Sequence, residues 1–268
     1  MLIKVSAFLK KDFLIESSYK LAFLLNIFTI LISILTYFFI DKLFGQRMVS
    51  HLQEFGVNYF SYVLLSMAFF SYIGVGLGSF SSRIRSEQIQ GTLEAILLTP
   101  TKISTILISL VFWNLCFATF NTAVYILLGI FLFKINFANI NLLSTIVILL
   151  LTITSFAGLG ILSASFIIVF KRGNPISWFI NTMQGLIGGV YFPISVMPGW
   201  LQLLAKFFPI AYAIRAIELA VYRGFGLAQL GKEISFLILF SALLLPLSFV
   251  SFKFALKKAR LQGSLMQY

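Results

Sequence analysis

The sequence predicts an all-α integral membrane protein: six transmembrane helices, an N-terminal amphipathic helix lying at the interface, and an outer re-entrant helical hairpin between spans five and six. Three observations carry that expectation. Of 268 residues, 60% are apolar and 10% charged, whereas a soluble globular domain runs at about 45–50% and about 25%. Mean hydropathy is +1.01. The apolar residues gather into runs of about 20 or more, enough to cross about 30 Å of hydrocarbon. Lysines and arginines then concentrate on one side of those runs, as orientation in a membrane requires.

The elements follow in chain order. Residues 1–20 carry Lys4, Lys10, Lys11, Asp12, Glu16 and Lys20, with Leu2, Val5, Phe8, Leu9 and Phe13 at three- and four-residue steps. That spacing makes an amphipathic helix suited to the membrane surface. A cleavable signal would instead show a short apolar run and a small-residue cleavage site. Six spans are expected at 21–40, 58–80, 103–133, 142–170, 177–197 and 234–252. The third and fourth overrun the bilayer and should tilt or project. Outside the spans the longest stretches are 81–102 and 198–233. Neither reaches the roughly 40 residues below which a core seldom suffices, so residues 1–268 read as one transmembrane domain.

With the N-terminus inside, the inner segments hold Lys4, Lys10, Lys11, Lys20, Arg83, Arg85, Lys102, Lys171, Arg172, Lys253, Lys257, Lys258 and Arg260. The outer ones hold only Lys42, Arg47, Lys134, Lys206, Arg215, Arg223 and Lys232. The expected arrangement is a multi-pass protein of the cell membrane with both termini cytosolic.

Composition also excludes functions. The six spans contain no Asp, Glu, Lys, Arg or His, which disfavours a proton-driven carrier, whose ion must bind an ionisable residue within the membrane. Sodium coupling through backbone carbonyls stays possible in principle. The single Cys116 and single His51 leave no disulfide framework, zinc site or nucleophile–base pair. No G-x-S-x-G elbow is present, so no catalytic residue is expected. Cys116 reads as packing and His51 as a solvated outer residue. The net charge of +12 is spread in clusters of three or four, which fits membrane edges and not nucleic acid. Gly226 to Gly231-Lys232 spells G-x-x-x-x-G-K, but Glu233 stands where a phosphate-binding loop needs Ser or Thr. It reads as an ordinary connection.

The inner segment after the second span runs Arg83-Ile-Arg85-Ser-Glu87-Gln-Ile-Gln-Gly91-Thr92-Leu93-Glu94-Ala-Ile-Leu-Leu98-Thr99-Pro100-Thr-Lys102. Gly91 breaks the helix. Thr92 can cap a new one, and Glu94 suits its positive end. Pro100 ends it by pushing Thr99 out of helical geometry. The product is a short amphipathic surface helix, either a well-capped connector or a docking knob for a cytosolic partner. On the other face, Gly188-Gly189 loosens the fifth span, Pro193 and Pro198 stop regular helix, and Pro209 can open a new one. In that helix Arg215 and Glu218, three apart, are expected to pair. This stretch is either a helical hairpin dipping into the outer leaflet or an amphipathic loop lying on the membrane with Trp200, Leu203, Leu204, Phe207 and Phe208. Gly74-x-x-x-Gly78 and Gly185-x-x-x-Gly189 allow close helix approach, within the chain or at a dimer seam. Polar residues near mid-span include Asn26, Thr29, Ser33 and Thr36 in the first span, Asn114 and Asn121 in the third, and Asn181 and Gln184 in the fifth; helix–helix hydrogen bonding accounts for most such residues.

Two of these stretches carry a resemblance. Glu87…Gly91-Thr92-Leu93-Glu94…Leu98-Thr99-Pro100 resembles the cytosolic coupling segment of type-2 ABC exporter permeases. Gly188-Gly189-Val-Tyr-Phe-Pro193-Ile-Ser-Val-Met-Pro198-Gly199-Trp200-Leu-Gln202, then Pro209-Ile-Ala-Tyr212-Ala, is similar to that family's segment between its last two spans. The resemblance implies a half-transporter that pairs, as a homodimer, and binds two copies of a separate cytosolic ATPase subunit. ATP and Mg would sit on that subunit, with no cofactor in this chain. Carried over, Arg83, Arg85, Glu87, Gly91, Thr92, Leu93, Glu94, Thr99 and Pro100 contact the ATPase, with Lys10, Lys11 and Asp12 as a second contact. Gly188, Gly189, Pro193, Pro198, Gly199 and Pro209 form an outer gate. Spans one, two and five border the family's cavity, which makes Asn26, Thr29, Ser33, Asn181 and Gln184 candidate lining residues. The implied function is export of an amphipathic drug-like or lipid-like substrate. Alternatives are a lipid-linked polysaccharide cargo or a non-transport membrane scaffold.

Overall fold

A computed structural model describes residues 10, 13, 14, 18–89, 91, 103–170, 178, 182, 183, 185 and 187–261. Every regular element among them is helical. In order they are α1 (Lys20–Leu52), α2 (Tyr59–Ile89), α3 (Ile103–Phe133), α4 (Leu142–Phe170), a 3₁₀ turn (Ile194–Val196), α5 (Gly199–Ala205), α6 (Pro209–Tyr222) and α7 (Gly231–Leu261). Among the described residues, α1, α2, α3, α4 and α7 are long and apolar enough to cross a membrane. Most of the expected fifth span, 177–197, lies outside the described residues. Its described part is helical through Ile187 and non-helical from Gly188, so the helix stops about ten residues short of the expected boundary.

Two helices match their expected limits and three outrun them. α3 and α4 begin and end where the apolar runs do. α1 continues past residue 40 to Leu52, making 33 residues, about 50 Å at 1.5 Å per residue. Asp41, Lys42 and Arg47 cannot sit in hydrocarbon, but they do not break helix. Polarity ends the apolar run there, and backbone hydrogen bonding carries on until the turn at Gly56, whose N–H donates to Leu52 O at 3.0 Å. α2 likewise runs on to Ile89 and α7 to Leu261, past its internal Pro246.

The packing is centred on α4, which lies between α2 and α7. Glycine permits both approaches. A Cβ at Gly160 would lie 2.5 Å from Gly76 O, and one at Gly158 would lie 2.8 Å from Leu244 Cβ. Hydrogen bonds reinforce the seams: Ser155 Oγ donates to Leu237 O at 3.0 Å across α4–α7, and Asn114 Nδ2 donates to Ser79 Oγ at 2.7 Å across α3–α2. α6 is too short to cross a membrane, and twelve of its fourteen residues are buried. It packs on α4, α7 and α2. The Gly185/Gly189 pair packs within the chain, a Cβ at Gly185 meeting Tyr191 at 3.3 Å. Gly74 and Gly78 do not: a Cβ at either would meet nothing within 4 Å.

Candidate functional site

The candidate site is a cap at the end of the bundle expected to lie outside, where residues 188–197 meet the end of α1 and the start of α2. Gly189 makes the bend possible. Its φ of 80° is a left-handed conformation that a side chain resists, and a Cβ there would also crowd Ile194 at 3.2 Å. Tyrosines then hold the backbone down. Tyr62 donates its hydroxyl to Gly189 O at 2.5 Å, and Tyr59 donates to Tyr191 O at 3.0 Å. Tyr37 of α1 stacks on Tyr191 at 5.8 Å between ring centres. His51 Nδ1 lies 3.1 Å from Ser195 Oγ, so this histidine is half-buried against the cap and not simply solvated as expected. Gln202 donates to Met197 O at 2.8 Å. Beneath the strap is a cavity of about 300 Å³, lined among others by Tyr62, Gly188, Gly189, Pro193, Lys206 and Arg215.

A charged layer ties the cap to α6. Pro209 occupies the first turn of that helix, where its missing N–H costs nothing. Arg215 forks between two carboxylates, Glu54 in the α1–α2 turn and Glu233 in the first turn of α7. Its Nε donates to Glu54 Oε1 at 3.1 Å. Glu233 is 3% exposed, so the pair also supplies the charge that a buried carboxylate needs. Arg223 donates to Gln53 O at 2.6 Å and to Glu54 O at 3.0 Å, placing a cation on the carbonyls that end α1.

The expected Arg215–Glu218 pair does not form. Glu218 turns inward and is fully buried. Its Oε1 accepts from Ser66 Oγ at 2.8 Å, and its Oε2 has no partner. Burial lifts this carboxyl well above the usual range, with the Ser66 hydrogen bond opposing only in part. A buried carboxyl group thus sits at α6 against stretches of α2 and α4 that carry no Asp, Glu, Lys, Arg or His. Residues i and i+3 are about 60° apart on a helix, close enough to pair yet far enough to straddle a burial boundary. Partners distant in sequence, Glu54 and Glu233, decided the outcome. Tyr59, Tyr62 and Ser66 were also missed by the sequence reading, because a tyrosine or serine in an apolar run looks like packing until its backbone partner is known. The G-x-x-x-x-G-K near-match is a turn leading into α7, with Glu233 committed to Arg215.

The remaining candidates are dispersed. Gly188, Gly189 and Pro193 line the cavity, Pro198 precedes α5 as its N-cap, and Gly199 starts that helix. Asn26 donates to Asn121 Oδ1 at 2.8 Å; Thr29 bonds back to Leu25 O at 2.8 Å and is exposed; Ser33 is half-buried. None of the three lines the outer cavity. Asn181 and Gln184 lie outside the described residues. Among the inner contacts, Lys10 is exposed, Arg85 is half-buried, and Gly91 is exposed with φ 68° two residues beyond the end of α2. Arg83 and Glu87 fall within α2. Lys11, Asp12, Thr92, Leu93, Glu94, Thr99 and Pro100 lie outside the described residues. Cys116 is exposed, which differs from the packed position expected.

The sequence model of the ABC-2 type transporter family aligns with residues 4–222. No curated protein matches the chain.

Proposed function

Since the chain belongs to the ABC-2 type transporter family and is a membrane permease of an ABC transporter, we propose that it exports an amphipathic drug-like or lipid-like substrate, powered by ATP bound with Mg on a separate cytosolic subunit. The family match over residues 4–222 carries this reading. Two permease copies pair, each with one ATPase subunit, in the cell membrane with both termini cytosolic. The open glycine face of α2 at Gly74 and Gly78 supports a seam between copies. The ATPase docks on the segment containing Arg83, Arg85, Glu87, Gly91, Thr92, Leu93, Glu94, Thr99 and Pro100, and on Lys10, Lys11 and Asp12 before α1.

The outer cap is the exit gate. Residues 188–197 are anchored at Val190 in the core, and beyond it are held by the Tyr37–Tyr191 stack and by a few hydrogen bonds with Tyr59, Tyr62 and His51, each bond worth about 1 kcal/mol net. A strap so held can lift when nucleotide closure moves α1 and α2. α6 below it is held by burial and by Arg215, and acts as the fixed sill.

The test uses vesicles reconstituted with the chain and the ATPase subunit that co-purifies with it. ATP should drive a fluorescent amphiphile across the bilayer, and no transport should occur without the ATPase. Uphill transport by the chain alone overturns the reading. In a Cys116→Ser background, His51→Cys with Ser195→Cys joined by a short bismaleimide should stop transport while ATP binding persists. Undiminished transport by the cross-linked protein overturns the gate.

A further inference from the structure

At the end of the bundle opposite the outer cap, α1 and α3 diverge, and between them lies a groove of about 800 Å³. That volume lies within the roughly 300–1,000 Å³ of small-molecule sites. Three cross-contacts frame it. Phe13 meets Trp113 edge-on at 6.2 Å, Phe23 meets Phe120 at 5.1 Å, and Asn26 donates to Asn121 at 2.8 Å. The walls are otherwise apolar, from Ala22, Leu24, Cys116 and Phe117.

The mouth has the opposite chemistry. Lys20 lines the groove, and among the described residues none that line it is acidic. Lys20 is also the first residue of α1. That helix start has no side-chain cap, and its first turn contains no acidic residue. The positive end of the helix therefore coincides with a lysine ammonium. Such a terminus attracts an anionic oxygen cluster. From Lys20 to Asn26 the helix rises about 9 Å, so the polar mouth opens directly into the apolar cleft.

We propose that this groove binds an anionic lipid of the surrounding leaflet, its phosphate at Lys20 and the start of α1 and one acyl chain between α1 and α3. Lys20 supplies head-group preference, the aromatic walls supply the chain contact, and the Asn26–Asn121 pair closes the far end. The lipid would reinforce the contact of Phe13 with Trp113 of α3. The site is separate from the outer cap and requires only membrane insertion, so its test succeeds or fails independently of transport.

Trp113 is a built-in reporter. In a Trp178→Phe/Trp200→Phe background it is the one remaining tryptophan, since the chain has three. The full-length protein is reconstituted in vesicles containing equal small fractions of phosphatidylglycerol or phosphatidylcholine brominated on the acyl chain. Bromine quenches tryptophan at contact. Brominated phosphatidylglycerol should quench Trp113 about three- to fivefold more effectively, as expected for one basic residue acting on an anionic lipid. Lys20→Gln should remove that preference while leaving residual quenching. Lys42→Gln, at the other end of α1, should preserve it. Equal quenching by both lipids, an unchanged preference in Lys20→Gln, or no quenching by either lipid, as when a second copy of the chain fills the groove, would each overturn the proposal.

Discussion

α1 and α2 are both membrane-crossing helices, and α1 is the more apolar, yet 72% of the most apolar window of α2 is buried in the chain against 11% for α1. In water the order would be reversed. In a bilayer, lipid tails solvate leucine as well as another helix does, so association is driven by close packing and interhelical hydrogen bonds. α2 carries what that requires: Gly76 against α4, Ser66 toward Glu218, Ser79 toward Asn114, and Tyr59 and Tyr62 toward the cap. α1 carries Phe23, Leu24, Phe28 and Phe39, all exposed. One side of the molecule is therefore sealed by small and polar residues, and the other is splayed and left to lipid or a partner. Substitutions should separate the two sides.

The largest effect is expected at the α2–α4 contact. Gly160→Ala places a Cβ 2.5 Å from Gly76 O and 2.7 Å from Leu77 O. These are backbone atoms, so the helices must part. Overpacking of this kind costs about 3 kcal/mol, read as a lower thermal midpoint in detergent. Gly74→Ala, two residues from Gly76 along α2 but facing open space, should leave the midpoint of the isolated chain unchanged. Equal sensitivity at both positions would show that α2 is not divided into a packed and an open face.

Next comes the charged layer. Arg215→Met leaves the buried Glu233 without its cation. An unsatisfied buried acceptor costs about 2 kcal/mol, moderated here because the Arg215 side chain is 42% exposed. Adding Glu233→Gln to Arg215→Met should recover part of the loss, since contacting residues couple. Strictly additive losses would mean that the pair contributes nothing as a pair.

This contrast explains how far the sequence could be read. The apolar runs marked the limits of α3 and α4 and the core of α1, α2 and α7, because hydrocarbon tolerates nothing else there. They could not mark where α1, α2 and α7 end, since leaving the membrane does not end a helix. The prolines at 193, 198 and 209 indicated where the outer segment changes conformation, and Pro209 does open α6. What they could not indicate was what α6 lies against. Its burial depends on α2, α4 and α7 arriving from elsewhere in the chain, and so does the choice of Arg215 for Glu54 and Glu233 over Glu218. Cavity-lining candidates chosen by polarity alone fared no better: Asn26 has a partner across the α1–α3 groove, and Thr29 bonds to its own helix.

Glu218 offers a pH-dependent probe of the sealed side. Its folded value is raised by burial, so its contribution to stability is complete below the unfolded carboxyl range near about 4.3 and is lost as pH rises through the lifted value. The wild-type thermal midpoint should decline from mildly acidic to alkaline pH, and Glu218→Gln, which keeps an acceptor for Ser66 and carries no charge, should flatten that slope. A variant with the wild-type slope would place the titration on another group.

The smallest effect belongs to the splayed side. Asn26→Ala removes the hydrogen bond from Asn26 of α1 to Asn121 of α3. Such interhelical bonds average about 0.6 kcal/mol in a membrane, and the freed Asn121 side chain is only half-buried. The thermal midpoint should therefore move by less than a fifth of the Gly160→Ala shift, a ratio that follows from about 0.6 against about 3 kcal/mol. Quenching of Trp113 by brominated lipid should persist, because the mouth at Lys20 and the aromatic walls are untouched. If Asn26→Ala instead destabilised the chain as much as Gly160→Ala, α1 would be part of the sealed core, and its exposed apolar face would need an explanation other than contact with lipid or a partner.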